Sequence, residues 1–90
     1  MTASNIPRLA RGCRLSEDPA QGWVLLIPEG VLRLSGPGPH ILQRCDGARN
    51  FAGIVRELGV AFAAPDLALV ESETAAFLDR LVARRIVVLE

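Results

Sequence analysis

Cys13, Cys45 and His40 are the side chains that come nearest to reactive chemistry in this chain. A thiolate can attack or ligate, and an imidazole can move a proton near neutral pH. A zinc site needs about four ligands at close paired spacings. Two cysteines with 31 residues between them and one histidine do not supply that set, and there is no tyrosine. Cys13 and Cys45 read instead as small buried hydrophobes. A disulfide between them would be unusual in a reducing compartment. His40 reads as solvent-exposed and inert. The expectation is a binding module with no metal and no cofactor, not an enzyme.

Charge narrows the partners. Ten arginines balance ten aspartates and glutamates, with no lysine. Nucleic-acid binders gain affinity by neutralising phosphates, so they carry a net positive field. This chain has none to spare, and no nucleic-acid partner is expected. The longest apolar runs, Val24–Ile27 and Ile86–Leu89, fall far short of the ~18–20 residues needed to span a bilayer. The first fourteen residues hold arginines but no apolar stretch typical of a secretory signal. A cytoplasmic protein with no membrane association is expected. Ninety residues, half of them hydrophobic, suit one small domain over 1–90, with 1–7 as a flexible tail.

The elements that position any site read as strands first and helices second. Residues 8–17 partly alternate, with Leu9, Cys13 and Leu15 apolar, as in a half-buried edge strand with Gly12 as a bulge. Asp18-Pro19-Ala20-Gln21-Gly22 carries turn chemistry. Trp23–Ile27 is a second strand and Val31–Leu34 a third, and the short Pro28-Glu29-Gly30 connection makes them an antiparallel hairpin. Ser35-Gly36-Pro37-Gly38-Pro39 can continue neither a ladder nor a helix. Beyond it, Pro39 opens a short helix with Ile41, Leu42 and Cys45 inward and Gly47 as its stop.

Asn50 caps a second helix whose apolar positions are Phe51, Ile54, Val55, Leu58 and Phe62, with Gly59 inside it or ending it. A third helix follows Pro65-Asp66, with Leu67, Val70, Thr74, Phe77, Leu78 and Leu81 on one face. Glu71, Ser72, Glu73, Asp79, Arg80 and Arg84 occupy the other. Ile86–Leu89 is extended. The sum is an α+β domain: an N-terminal three-stranded antiparallel sheet, then three helices, like a winged helix-turn-helix.

Four segments resemble the PqqD family of peptide-binding proteins. They are Leu25-Leu26-Ile27-Pro28-Glu29-Gly30-Val31-Leu32-Arg33-Leu34, then Ile41-Leu42 with Cys45-Asp46-Gly47, then Ile54-Val55-Arg56-Glu57-Leu58, and Phe77-Leu78-Asp79-Arg80-Leu81. The resemblance spans roughly residues 8 to 89. It implies a precursor-peptide recognition element, a chaperone of pyrroloquinoline quinone biosynthesis. Such a protein binds the ribosomal precursor peptide PqqA as an added strand and presents it to the radical SAM enzyme PqqE. The groove is implied to lie between the third strand and the third helix. On this sequence that places the peptide along Val31, Leu32, Arg33 and Leu34, with Ala75, Leu78, Asp79 and Val82 lining the helix side. The chain departs from the family pattern at Ser35–Pro39 and at Ser72-Glu73-Thr74.

Plainer readings stand beside these. Half of the third strand must face the helices as ordinary core. Phe77 and Leu81 read as core, and Arg80, Arg84 and Arg85 as a solvated helix end or a patch for the modifying enzyme. Two other functions compete. A winged-helix DNA-binding regulator needs a basic recognition helix, but 51–62 carries only Arg56 as a cation, with Glu57 beside it. An enzyme would need its chemistry from outside. The Gly-Pro hinge at 36–39 also allows a homodimer by domain swap.

Overall fold

A computed structural model describes residues 1–90. The chain runs β1 (Pro7–Leu9), β2 (Arg14–Asp18), β3 (Gly22–Ile27), β4 (Gly30–Arg33), α1 (Gly38–Gln43), α2 (Phe51–Ala61), α3 (Leu67–Ala83) and β5 (Val87–Leu89). It is an α+β chain with antiparallel sheets and three helices.

The central sheet has the order β2-β3-β4. Its first turn forms because the Asp18 carboxylate accepts from the Ala20 and Gln21 N–H groups at 2.7 and 3.0 Å. Gly22 supplies the positive φ of +77° that brings the chain back. The second turn, at Pro28-Glu29, sets Ile27 opposite Gly30 and Val24 opposite Arg33. Val24 and Leu25 are both buried in the middle strand.

The expected strand over 8–17 is instead two strands in two sheets. The Cys13 N–H donates to the Ala10 carbonyl at 3.0 Å, and Gly12 sits at φ +87°, so the chain turns there and does not bulge. That turn delivers β1 to the C-terminus, where Arg8 pairs with Val88 in a two-stranded antiparallel ribbon with β5. Residues 1–7, expected as a flexible tail, carry backbone bonds onward from that ribbon. Ile6 and Glu90 exchange N–H···O bonds of 3.0 and 2.9 Å, and the Asn5 carbonyl accepts from the Phe51 N–H at 2.7 Å.

The helices start where capping chemistry puts them. The Asn50 side chain accepts from the Gly53 N–H at 2.8 Å, and the Asp66 carboxylate accepts from Ala68 and Leu69 at 3.0 and 3.3 Å. Pro39 lies in the first turn of α1. That helix stops at Gln43, short of Gly47. Gly47, at φ +78°, instead serves a loop in which Asp46 accepts from the Ala48 N–H at 2.9 Å. Gly59 lies inside α2, where the tip of the half-exposed Leu67 side chain rests against it.

One core joins the layers: Leu25 from the sheet, Ile41, Leu42 and Cys45, then Phe51, Ile54, Val55 and Leu58 of α2. Leu78 and Leu81 of α3 and Ile86 and Val87 complete it. Two residues expected to face inward do not. Phe62 lies past the end of α2 and is 49 % exposed, and Leu67 in the first turn of α3 is 50 % exposed. Both sit where a helix begins or ends, so the apolar stripe has turned away from the core.

Candidate functional site

β4 has a strand on one side only. The Leu34 N–H donates to the Trp23 carbonyl at 3.0 Å, which makes that pair a bonded one. In an antiparallel ladder bonded and non-bonded pairs alternate. Leu32 and Gly30 therefore also bond toward β3, and the N–H and C=O groups of Val31 and Arg33 turn outward. The Ser35 carbonyl is taken by the Gly38 N–H at 3.3 Å. A strand laid along β4 would meet two donors and two acceptors from Val31 and Arg33.

Side chains follow the same alternation. Leu32 and Leu34 pack on the core, while Val31 is 53 % exposed and Arg33 is exposed. The end of β4 opens into a cleft of about 940 Å³. Arg33, Leu34 and the hinge Ser35–Gly38 form one wall of it. Val70, Glu73, Thr74, Phe77 and Arg80 of α3 form the other. The hinge closes tightly on that wall: a Cβ at Gly38 would stand 3.4 Å from the Phe77 ring. One chain supplies both walls.

The four strand residues singled out in the sequence thus lie together, with Arg33 and Leu34 in the cleft itself. The four helix residues do not join them. Leu78 is fully buried in the core, and Ala75 and Val82 are half-buried against it. Asp79 is exposed and lies 3.6 Å from the amino group of Met1. The stripe that lines the cleft is the adjacent one, running Val70, Glu73, Thr74, Phe77 and Arg80. Phe77, read from the sequence as core, is half-buried and holds the Arg80 guanidinium 6.0 Å from its ring centroid.

Reactive groups stay away from this cleft. Both cysteines are free thiols. Burial, with the Asp46 carboxylate beside it, pushes the Cys45 thiol up to about 12, and its Sγ donates to the Ile41 carbonyl at 3.3 Å. Burial and then Glu29 raise Cys13. The Ala48 N–H, followed by the Arg49 guanidinium, outweighs desolvation and holds Asp46 below its usual range. His40 meets the Phe62 ring edge-on at 5.0 Å between centroids. Nowhere do three His, Cys, Asp or Glu side chains gather as a metal site would require. What the arrangement can do is receive an extended chain: unpaired main-chain groups along one line, with an apolar trough beside them.

Known proteins resemble this chain in sequence and in fold. Residues 22–87 match the family model for coenzyme PQQ synthesis protein D, PqqD. The chain is 38 % identical over 87 residues to a PqqA binding protein of Xanthomonas axonopodis pv. citri, covering 96 % of this chain and 94 % of that one. It is 39 % identical over 79 residues to a PqqA binding protein of Azotobacter vinelandii, covering 87 % and 84 %. A solution NMR structure of the PqqD part of Methylobacterium extorquens PqqCD superposes with a TM-score of 0.82 at 31 % identity, covering 98 % of this chain and 94 % of that one. That protein is described as a functional, stand-alone recognition element for ribosomally synthesized and post-translationally modified peptides. This chain belongs to the PqqD family.

Proposed function

We propose that this protein is a peptide chaperone of pyrroloquinoline quinone biosynthesis. It binds the precursor peptide PqqA by adding it as a strand to β4, and it presents the bound peptide to the radical SAM enzyme PqqE. The observation that carries this reading is the unpaired edge of β4 running into the cleft walled by α3. Relatives named for binding PqqA support the choice of peptide.

The energetics suit a carrier. Each main-chain bond contributes about 0.5–1.5 kcal/mol net. A well-buried apolar anchor, here against Leu34, Val70 or Phe77, adds about 1.5–3 kcal/mol. Ordering the peptide costs about 2–5 kcal/mol. With four such bonds and one anchor the balance is at most about 7 kcal/mol, so further apolar anchors are needed to carry the complex from weak association toward micromolar affinity. Main-chain bonds hold one part of the peptide while the rest stays free to enter another active site. No acid, base or metal is asked of this chain.

The layout resembles a winged helix-turn-helix with the β3–β4 hairpin as its wing. No observation favours DNA as its ligand. Helix α2 offers Arg56 with Glu57 beside it, and the whole chain is neutral.

Titrating PqqA into isotopically labelled protein while recording amide shifts tests the site. Val31, Arg33 and Ser35 are expected to move together with residues 70–80 of α3. Shifts that leave β4 untouched would contradict strand addition. Addition of PqqE to the loaded complex is expected to give a ternary species in sedimentation velocity, and its absence would contradict presentation.

A further inference from the structure

The cleft is charged although the chain is not. Arg33 and Arg80 line it with one carboxylate, Glu73, which leaves one net positive charge in a protein whose ten cations balance ten anions. Of the five ion pairs in the molecule, none uses Arg33, Arg80 or Glu73. Arg8, Arg44 and Arg49 are each held by a carboxylate elsewhere on the surface, and five other arginines outside the cleft are unpaired like Arg33 and Arg80, so it is their place in the cleft that sets these two apart. Arg33, exposed at the strand wall, and Arg80 on the helix wall both leave their guanidinium groups without a hydrogen-bond partner in the protein. Each comes from a different wall, Arg33 from β4 and Arg80 from α3.

Arg80 is also oriented. Its guanidinium lies 6.0 Å from the Phe77 ring centroid, a contact that steadies a cation without neutralising it. Glu73 stands seven residues earlier on the same helix, roughly 10 Å away along the axis at 1.5 Å per residue. An anion seated against Arg80 is therefore separated from the one carboxylate that would repel it.

We propose that the cleft selects for charge as well as for extended backbone: Arg33 and Arg80 together receive an acidic side chain of the bound peptide. This rests on the strand-addition reading and names the chemistry of what the strand must carry. Main-chain bonds accept any sequence, so side-chain contacts must supply the choice. Arginine suits that role because its planar fork pairs with carboxylate in two-point fashion.

The test uses the full chain with PqqA and with a PqqA in which every Glu and Asp is replaced by Gln and Asn. Wild type, Arg33→Gln, Arg80→Gln, the double variant and Glu73→Gln are titrated by fluorescence anisotropy, with amide shifts of Val31 and Arg33 recorded in parallel. An exposed pair contributes up to about 1 kcal/mol, so each arginine change weakens PqqA binding by up to about fivefold and the double change by more than either alone, up to about 25-fold. The neutralised peptide binds all arginine variants alike, and Glu73→Gln leaves PqqA affinity within about twofold because that carboxylate is about a Debye length away. Equal affinity of both peptides for wild type, with β4 amides still shifting, overturns the charge selection and leaves strand addition standing. Unmoved β4 amides with PqqA overturn both.

Discussion

The three-stranded sheet has two edges, and they are built to opposite ends. On β2 the ladder bonds to β3 fall at Arg14, Ser16 and Asp18, so Leu15 and Glu17 turn their N–H groups outward. That edge carries Arg14, Glu17 and Asp18, and α1 packs nearby. Charged side chains are one way proteins blunt an edge against unwanted pairing. On β4 the outward groups belong to Val31 and Arg33, and the edge runs into the cleft against Phe77. An unpaired edge is dangerous unless it has a partner, and here only one of the two is left inviting.

Four measurements break or sharpen that contrast. The largest effect is on stability. Leu78 lies beneath the cleft wall and is fully buried, so Leu78→Ala costs about 2–5 kcal/mol in urea unfolding. In buffer without urea the fraction that stays folded still binds PqqA through β4. Second comes a matched pair of prolines at outward-facing positions, which spares the internal ladder in both strands. Val31→Pro removes an edge donor and leaves a peptide carbonyl unpaired, weakening PqqA binding by about 1–3 kcal/mol. Glu17→Pro on the other edge leaves affinity within about twofold, since less than half a kcal/mol is at stake there. Equal losses from both would erase the distinction between the edges.

Third, Phe77→Ala strips the apolar floor from the cleft and weakens binding by about 1–2 kcal/mol for a half-buried ring. Competition titration reads this directly. The last effect is remote from the cleft, touches stability and not binding, and is negligible near neutral pH. The Cys45 thiol is raised from its ordinary 9.0 to about 12, so the fold favours the neutral form. Its contribution is fully present below pH 9, because neither state is then ionised, and is lost as pH rises toward 12, where the unfolded chain releases its proton first. Cys45→Ala flattens stability against pH in that window, while binding at β4 is unchanged near neutrality.

Much of this architecture is legible in the residues, and the exceptions share a cause. The β3–β4 hairpin, the Ser35–Pro39 hinge and the caps at Asn50 and Asp66 depend on chemistry within a few residues, and each lies where local rules place it. The β1–β5 ribbon does not, because Pro7 pairs with Leu89 at the far end of the chain and neither short strand announces its partner. The residues that line the cleft from α3 lie one stripe away from Ala75, Leu78, Asp79 and Val82. Phe77 and Leu78, like Leu81 and Val82, are adjacent apolar residues separated by about 100° around the axis. Periodicity alone does not say which faces the core and which the trough. Packing against α2 and β5 decides it, burying Leu78 and leaving Phe77 half-open. A better signal was present in the hinge: a glycine at 38 between two prolines marks a close approach, and Phe77 is what it approaches.

The most direct measurement is amide hydrogen exchange at the two edges, with and without PqqA. The account predicts that the Val31 and Arg33 amides exchange freely in the unbound protein and become protected on binding, while Leu15 and Glu17 do not change. Protection that arises at Leu15 and Glu17, or at neither edge, would contradict it.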